Sequence, residues 1–260
     1  MEPRSSSRKV IASVQRALDI LNLFDGAHSE LGNAEIARSL NLDPGTAAGL
    51  VYTLKANRYL DQNPENRKYR LGLKIAERAA ALFDNLDLRK VSQPHLEELH
   101  DWCGESVNMA VLDGPVVVYI ERIMGRHSLG IRSELGKHAP VHSTALGKAI
   151  AAFLPESELS NLLEDYNFFP ITPYTITGRA AFEAELVKVR ACGYAVDEQE
   201  NELGGRCVGA PIFDHRGLPL AALSVSVPIQ RLAVEQTAVY GSRLKETGLQ
   251  ISQRIGFQIP

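Results

Sequence analysis

Cysteine is scarce. The 260 residues hold three, Cys103, Cys192 and Cys207, an odd number at wide spacing. This excludes a disulfide framework and offers no paired metal-ligand spacing, so the thiols are read as reduced. Long apolar runs are also missing. The most apolar stretches, 145–154 and 218–227, fall short of the ~18–20 residues that span a bilayer, and Lys148 breaks the first. The first residues are polar (Glu2, Arg4, Ser5, Ser6, Ser7) and lack the apolar core of a signal peptide. A cytoplasmic protein without membrane partners is expected. No nucleophile elbow, metal motif, nucleotide loop, internal repeat or low-complexity tract is present. No cofactor and no metal ion is called for.

What is present suits two globular cores: 260 residues with 45% hydrophobic side chains. The net charge of −3 conceals an asymmetry. Residues 1–75 hold 11 basic and 8 acidic residues, a net of +3, which leaves 17 of the 28 basic and 23 of the 31 acidic ones for the remainder, a net of −6. A basic head on an acidic body suits a protein that meets phosphates at one end, although composition scatter gives imbalances of this size.

Residues 1–9 read as a basic arm with Arg4, Arg8 and Lys9. A helix follows from Ser13 as cap, with Val14, Ala17, Leu18, Leu21 and Phe24 on one face and Gly26 as its stop. Asn33 caps a second helix with Ile36, Ala37 and Leu40 inward. Asp43 and Pro44 open a third, running to about Asn57, with Leu50, Val51, Leu54 and Tyr52 on its buried side. Then come Leu60, Asp61 and Gln62, a turn at 63–66, and an alternating strand around Tyr69 and Leu71 that carries Arg67, Lys68 and Arg70. Three short helices and a basic hairpin form a winged helix-turn-helix; a helical cap with solvated charges and a protein-contact module share the pattern. In the DNA-binding case the third helix enters the major groove, and wing and arm bring cations to phosphates.

A linker helix over 73–90 is expected, with Ile75, Ala79, Leu82 and Phe83 as a stripe able to pair with a second copy. Beyond it lie a helix at 92–103, a strand at 105–112, the turn Asp113-Gly114 and a strand at 116–120. A strand at 128–132, helices near 143–154, 156–164 and 179–192, strands at 206–213 and 220–227 and a final helix at 229–255 complete an α+β domain.

These segments carry an ordered set of tags. They are Ser-Val-Gln-Arg-Ala-Leu-Asp-Ile-Leu (13–21), Glu-Ile-Ala (35–37), Tyr-Arg-Leu-Gly (69–72) and Gly-Glu-Ser-Val (104–107). There follow Pro-Val-His-Ser-Thr-Ala-Leu-Gly-Lys-Ala (140–149), Thr-Pro-Tyr-Thr-Ile-Thr (172–177) and Gly-Tyr-Ala-Val-Asp (193–197). Arg-Cys-Val-Gly-Ala-Pro-Ile (206–212) and Leu-Ser-Val-Ser (223–226) close the series. In order and spacing the chain resembles the IclR-type (isocitrate lyase regulator) family of bacterial transcription factors from about residue 10 to 250. The resemblance implies a winged helix-turn-helix DNA-binding domain (1–72), the linker helix (73–90) and a GAF-like effector-binding and oligomerisation domain (91–260), an antiparallel sheet with flanking helices. It also implies homodimers or homotetramers on palindromic double-stranded operators, with small organic acids or acyl derivatives, aromatic ones included, as effectors. A ligand-responsive regulator, a repressor of a catabolic operon, is the expected function.

The third helix departs from the family pattern, because Asp-Pro-Gly-Thr-Ala-Ala-Gly-Leu (43–50) is small and nearly uncharged. Thr46 is the candidate base or phosphate contact, and Ala47 or Ala48 the candidate thymine-methyl contact. Affinity then leans on Arg4, Arg8, Lys9, Lys55, Arg67, Lys68 and Arg70, with a steep salt dependence expected. In the body, residues 142–148 form a loop entering a helix, where unpaired amides attract an anion and small residues admit it. Ser224 and Ser226 share one strand face. By the resemblance Thr144, Ala145, Leu146, Asp197, Cys207, Ser224 and Ser226 line the effector site. An acid facing Asp197 needs a proton or a donor between them, which suits an effector with a hydroxyl or N–H beside its acyl group.

Phe168, Phe169, Pro170 and Tyr174 suit a roof over this site or, equally, plain core. The serines also suit a satisfied sheet face, the cysteine a buried apolar position, and the acidic run 197–202 a solvated loop. His138 and His142 have the spacing of a metal pair, but Pro140 between them argues against a helix. Two other functions stay open: a hydrolase-like enzyme using Cys207 with His142 and Asp197, and a pure oligomerisation module. The regulator reading assigns no catalytic residue.

Overall fold

Asp43 and Pro44 start the third helix as their chemistry directs. The Asp43 carboxylate accepts from the amides of Gly45 and Thr46 at 2.8 and 3.2 Å, and Pro44 occupies the first helical position. The computed structural model describes residues 10–25, 28–84, 87–128, 130, 131 and 134–258. The chain divides into two units, Met1–Leu86 and Asp87–Pro260, a boundary inside the stretch read as a linker.

The first unit contains α1 (Ala12–Leu21), α2 (Asn33–Ser39), α3 (Pro44–Ala56), the hairpin strands β1 (Leu60–Gln62) and β2 (Tyr69–Leu71), and α4 (Leu73–Asp84). Its core is Ile20, Ile36, Val51, Leu54 and Leu60. β1 and β2 pair antiparallel with Asp61 opposite Arg70, and Leu31 bridges to Tyr69. Gly32, not Asn33, caps α2, and the Glu35 carboxylate accepts from the Gly32 amide at 2.6 Å. α1 begins at Ala12, so Ser13 lies inside it.

Two expected buried faces are corrected. Val14 and Leu18 are exposed, because α1 turns Ile20 inward with Ala17 and Leu21 beside it. Tyr52 is 73% exposed, because α3 buries the row Ala47, Val51 and Leu54, and Tyr52 projects about 100° round the helix from Val51. Arg4, Arg8, Lys9 and Gly26 lie outside the described residues, as do the side chains of Ala79, Leu82 and Phe83. Ile75 is half-buried.

The second unit runs α5 (Asp87–Cys103), β3 (Ser106–Asp113), β4 (Val116–Ile123), β5 (His138–Pro140), α6 (Ala145–Ala151), α7 (Glu156–Leu162), α8 (Arg179–Cys192), β6 (Ala195–Glu198), β7 (Gly205–Phe213), β8 (Pro219–Pro228) and α9 (Thr237–Arg254). Six strands form one sheet in the order β5-β4-β3-β8-β7-β6, every neighbouring pair antiparallel. The expected strand at 128–132 is absent: Ser128, Gly130 and Ile131 lie outside any strand, and Leu129 and Arg132 lie outside the described residues. The edge strand is β5 instead. β6 was not foreseen, and the last helix starts at Thr237 rather than near Ile229.

Helices cover both sheet faces. Leu96 and Leu99 of α5 and Leu244 and Ile251 of α9 share a core with Val107, Met109, Val208, Leu223 and Val225. Opposite, Leu146, Ala149 and Ile150 of α6 and Phe182 and Leu186 of α8 pack with Ala110 and Ala222. A sheet enclosed on both sides explains the nearly unbroken apolar character of β7 and β8. Ser224 and Ser226 are the polar exceptions in β8, both buried.

Two glycines bring α6 close to its neighbours. A Cβ on Gly209 in β7 would lie 2.9 Å from the Ala145 carbonyl oxygen, and one on Gly147 only 2.4 Å from that of Val141. Gly147 therefore serves helix packing rather than ligand access. Gly147→Ala is expected to destabilise the second unit by more than about 2 kcal/mol through overpacking against backbone, measured as a lowered urea midpoint.

Candidate functional site

α6 begins where the chain leaves β5. Thr144 caps it, accepting from the Gly147 amide at 3.0 Å while its hydroxyl donates to the Pro140 carbonyl at 2.9 Å. The amides of Ala145 and Leu146 find no acceptor among the described residues. They open onto a cavity of about 280 Å³. Cys207 of β7 and Ser224 and Ser226 of β8 line the sheet side of this cavity, with Asp197 of β6 beside them. Thr144, Ala145 and Leu146 line it from α6. Tyr119, Ile131, Lys137, His138, Ala139, Pro140, Asn201, Glu202 and Gly205 complete the lining. The seven positions singled out in the sequence thus meet around one space.

Asp197 is 4% exposed. Its Oδ1 accepts from the amides of Glu200 and Asn201 at 2.8 and 3.3 Å. Burial nevertheless pushes its carboxyl up to about 7, with nearby Lys148 opposing the shift and Glu200 adding to it. Burial, reinforced by the Asp197 charge, raises the Cys207 thiol well above its usual range, and burial raises the Tyr119 phenol. Around neutral pH the cavity therefore offers a carboxyl near its titration point, a thiol, hydroxyls and two free amides. Lys137 and His138 are exposed residues of its lining.

Lys148 was not among the residues expected to line the site. It is fully buried on α6, and its ammonium donates to the Val196 carbonyl and Glu200 Oε1, each at 2.5 Å. Glu200 in turn belongs to the turn whose amides hold Asp197. The hydroxyls of Thr172 and Thr175 each donate to this turn at 2.6 Å, to the carbonyls of Gln199 and Glu200 respectively, and Ser143 donates to Asn201 Oδ1 at 3.0 Å. The one available signal for Lys148 was a lone charge inside an apolar run.

The expected roof does not form, since Phe168, Phe169, Pro170 and Tyr174 are not among the cavity-lining residues. Instead Tyr166, Phe168 and Phe169 surround His142 edge-on at 5.4–5.6 Å between ring centroids. His142 is buried, with Nδ1 2.7 Å from the Tyr166 hydroxyl and Nε2 3.1 Å from the Phe169 carbonyl. Both ring nitrogens are thus engaged away from Cys207, and the Cys207–His142–Asp197 arrangement of a hydrolase is not assembled. Burial also holds the thiol protonated, the opposite of what a nucleophile needs.

In the first unit Thr46, Ala48 and Tyr52 are exposed on α3, while Ala47 is buried and cannot meet a thymine methyl. Lys55 is exposed and donates to Gln62 Oε1 at 2.8 Å. Arg67 is exposed at the hairpin turn, and its guanidinium has no acidic partner among the described residues. Lys68 pairs with Glu35 at 3.2 Å, and Arg70 with Asp61 at 2.8 Å. The Arg70 bond holds Asp61 below the usual carboxylate range. Two of the wing cations therefore already have counterions, a point the linear charge count misses.

A helix-turn-helix unit with a hairpin wing, joined to a sheet-and-helix unit around a polar cavity, is the build of a ligand-sensing transcription factor. The comparisons define it further. The family model for the IclR helix-turn-helix domain matches residues 13–64, and that for the bacterial transcriptional regulator IclR C-terminal domain matches 80–253. The chain belongs to the IclR family of transcriptional regulators. It is 40% identical over 248 residues to the HTH-type transcriptional regulator XynR of Escherichia coli strain K12, covering 95% of this chain and 98% of that one. The crystal structure of Thermotoga maritima IclR superposes with a TM-score of 0.77 at 33% identity, covering 95% and 99% of the two chains. An IclR homologue from Microbacterium hydrocarbonoxydans, crystallised with 4-hydroxybenzoate, gives a TM-score of 0.82 at 25% identity, covering 94% and 98%.

Asp197 sets a pH dependence. Its carboxyl is raised from 3.8 to about 7 in the fold, so between these values the folded state binds more protons than the unfolded one. Stability therefore falls as pH rises from about 4 to 7 and levels off above, by at most about 4 kcal/mol. Urea denaturation across this range is expected to show wild type losing stability relative to Asp197→Asn, and the opposite slope would place the charged carboxylate in a favourable site.

Proposed function

We propose that this regulator is a repressor of a catabolic operon, released by a small organic acid or acyl derivative that binds among Thr144, Ala145, Leu146, Asp197, Cys207, Ser224 and Ser226. What supports this is the convergence of those residues, from four separated stretches of sequence, on one cavity with two unpaired amides. A carboxylate matches the amide donors, and a hydroxyl or N–H beside it matches Asp197. The bound ligand of the Microbacterium homologue, 4-hydroxybenzoate, is an acid of a size to be included in a screen.

The DNA-binding role falls to residues 1–72, with Arg4, Arg8, Lys9, Thr46, Lys55, Arg67, Lys68 and Arg70 as contacts and Tyr52 joining Thr46 on the exposed side of α3. Residues 73–90 act as a linker and 91–260 as the effector and oligomerisation domain. The protein works in the cytoplasm as a homodimer or homotetramer on a palindromic operator and catalyses no reaction. Ligand binding then favours one separation of the DNA-binding heads over another.

Two measurements test the two halves. In a thermal-shift screen of organic acids, an effector present at about 100 times its Kd adds about 2.7 kcal/mol of stability. The double variant Ser224→Ala, Ser226→Ala is expected to lose that gain, and a gain that survives moves the ligand elsewhere. On DNA, each phosphate contact by Lys68 or Arg70 displaces an internal ion pair. Asp61→Asn frees Arg70 and is expected to tighten binding to the upstream DNA severalfold and to steepen the salt slope by about one. Weaker binding by this variant would show that the pair holds the wing in its binding shape.

A further inference from the structure

Ser226 lies on β8 between β3 and β7. Cys207 is its direct partner on β7. Asn108 stands diagonally across on β3, two residues beyond Ser106, which faces Ser226. Ser226 Oγ accepts from Asn108 Nδ2 at 3.2 Å and from the Cys207 thiol at 3.3 Å. Asn108 is 2% exposed and does not line the cavity; Ser226 does.

A hydroxyl has two lone pairs and one proton. Asn108 and Cys207 use the two lone pairs, one from each neighbouring strand, and what remains is the proton. Neither neighbour holds it firmly. An amide nitrogen has no lone pair to offer, and the sulfur of a protonated thiol is only a weak acceptor. No oxygen acceptor for the Ser226 proton is found among the described residues, and the open side of the hydroxyl is the cavity.

We propose that Asn108 is a positioning residue that fixes the polarity of this cavity: by filling a Ser226 lone pair it makes the hydroxyl a donor into the site, which selects ligands that present a carboxylate or carbonyl oxygen there and rejects an N–H at the same place. The proposal rests on the cavity being the effector site. It assigns a function to a buried asparagine outside the cavity lining, and it makes Cys207 a lone-pair blocker rather than a reactive thiol.

The first test needs no ligand. In a chain carrying Cys103→Ser and Cys192→Ser, Cys207 is the one thiol, and its infrared S–H stretch reports whether it donates. Adding Ser226→Ala is expected to shift the band to higher wavenumber; an unshifted band overturns the lone-pair count. The second test uses calorimetric titration with matched carboxylate and carboxamide probes, 4-hydroxybenzoate with 4-hydroxybenzamide and glycolate with glycolamide. In Asn108→Leu the freed lone pair can meet an amide N–H, and the carboxylate-over-carboxamide ratio of affinities contracts about tenfold, the worth of one hydrogen bond. A merely structural loss weakens both members equally and leaves the ratio, which overturns the proposal.

Asn108→Asp keeps the side-chain shape but puts an acceptor where the donor was. It draws the proton back into the sheet and weakens the carboxylate about tenfold, a test that stands if the leucine variant does not fold. An unchanged ratio in Asn108→Leu and unchanged carboxylate affinity in Asn108→Asp, with wild-type binding intact, remove Asn108 and leave the effector site standing. If no probe binds wild type, the effector-site reading falls, and the proposal with it.

Discussion

A fully buried ammonium needs a reason. Lys148 sits inside the α6 packing, bonded to the Val196 carbonyl and the Glu200 carboxylate, and a buried pair of this kind gains little stability over an apolar one. Its consequence lies one step further on. Glu200 is anchored by Lys148, and the carbonyls of its turn are anchored by Thr172 and Thr175. The same turn supplies the amides that fix Asp197 at the cavity. A site that discriminates among small polar molecules needs side chains whose rotamers are locked from behind. The buried pair is that support for the turn that holds Asp197.

Around this anchor the sheet acts as a frame with both faces closed. Its apolar strands supply rigidity, and two serines in an otherwise apolar strand supply chemistry. The amides at the start of α6 reach the same space because Gly209 and Gly147 allow the helix to sit against backbone. Hydroxyls, amides and one carboxyl of adjustable protonation line the cavity. The exposed Lys137 contributes a positive charge at its lining.

Much of this was legible in the sequence, for identifiable reasons. Asp43-Pro44, Asp113-Gly114 and the alternation around Tyr69 are local signals, and local chemistry decides them. The seven positions that meet at the cavity were legible because their tags recur together in a family, with the Ser224 and Ser226 spacing and the loop entering α6 as independent geometric support. Lys148, Tyr119, Asn201 and Glu202 were not, since their roles arise where distant segments meet. Val14, Leu18 and Tyr52 were misplaced because periodicity gives the direction of an apolar face but not how wide a neighbour covers it. The wing cations were counted correctly, but Glu35 and Asp61 neutralise Lys68 and Arg70 in a way that only the hairpin register reveals.

The central claim is that occupancy of this cavity controls the DNA-binding head. The most direct measurement is fluorescence anisotropy of labelled upstream DNA, titrated with the full chain in the presence and absence of an acid that stabilises it. Reciprocal coupling predicts that saturating ligand changes the Kd for DNA by about 5- to 150-fold, and that Ser224→Ala with Ser226→Ala abolishes the change while leaving ligand-free DNA binding intact. An identical Kd for DNA with and without a bound, stabilising ligand would contradict the account.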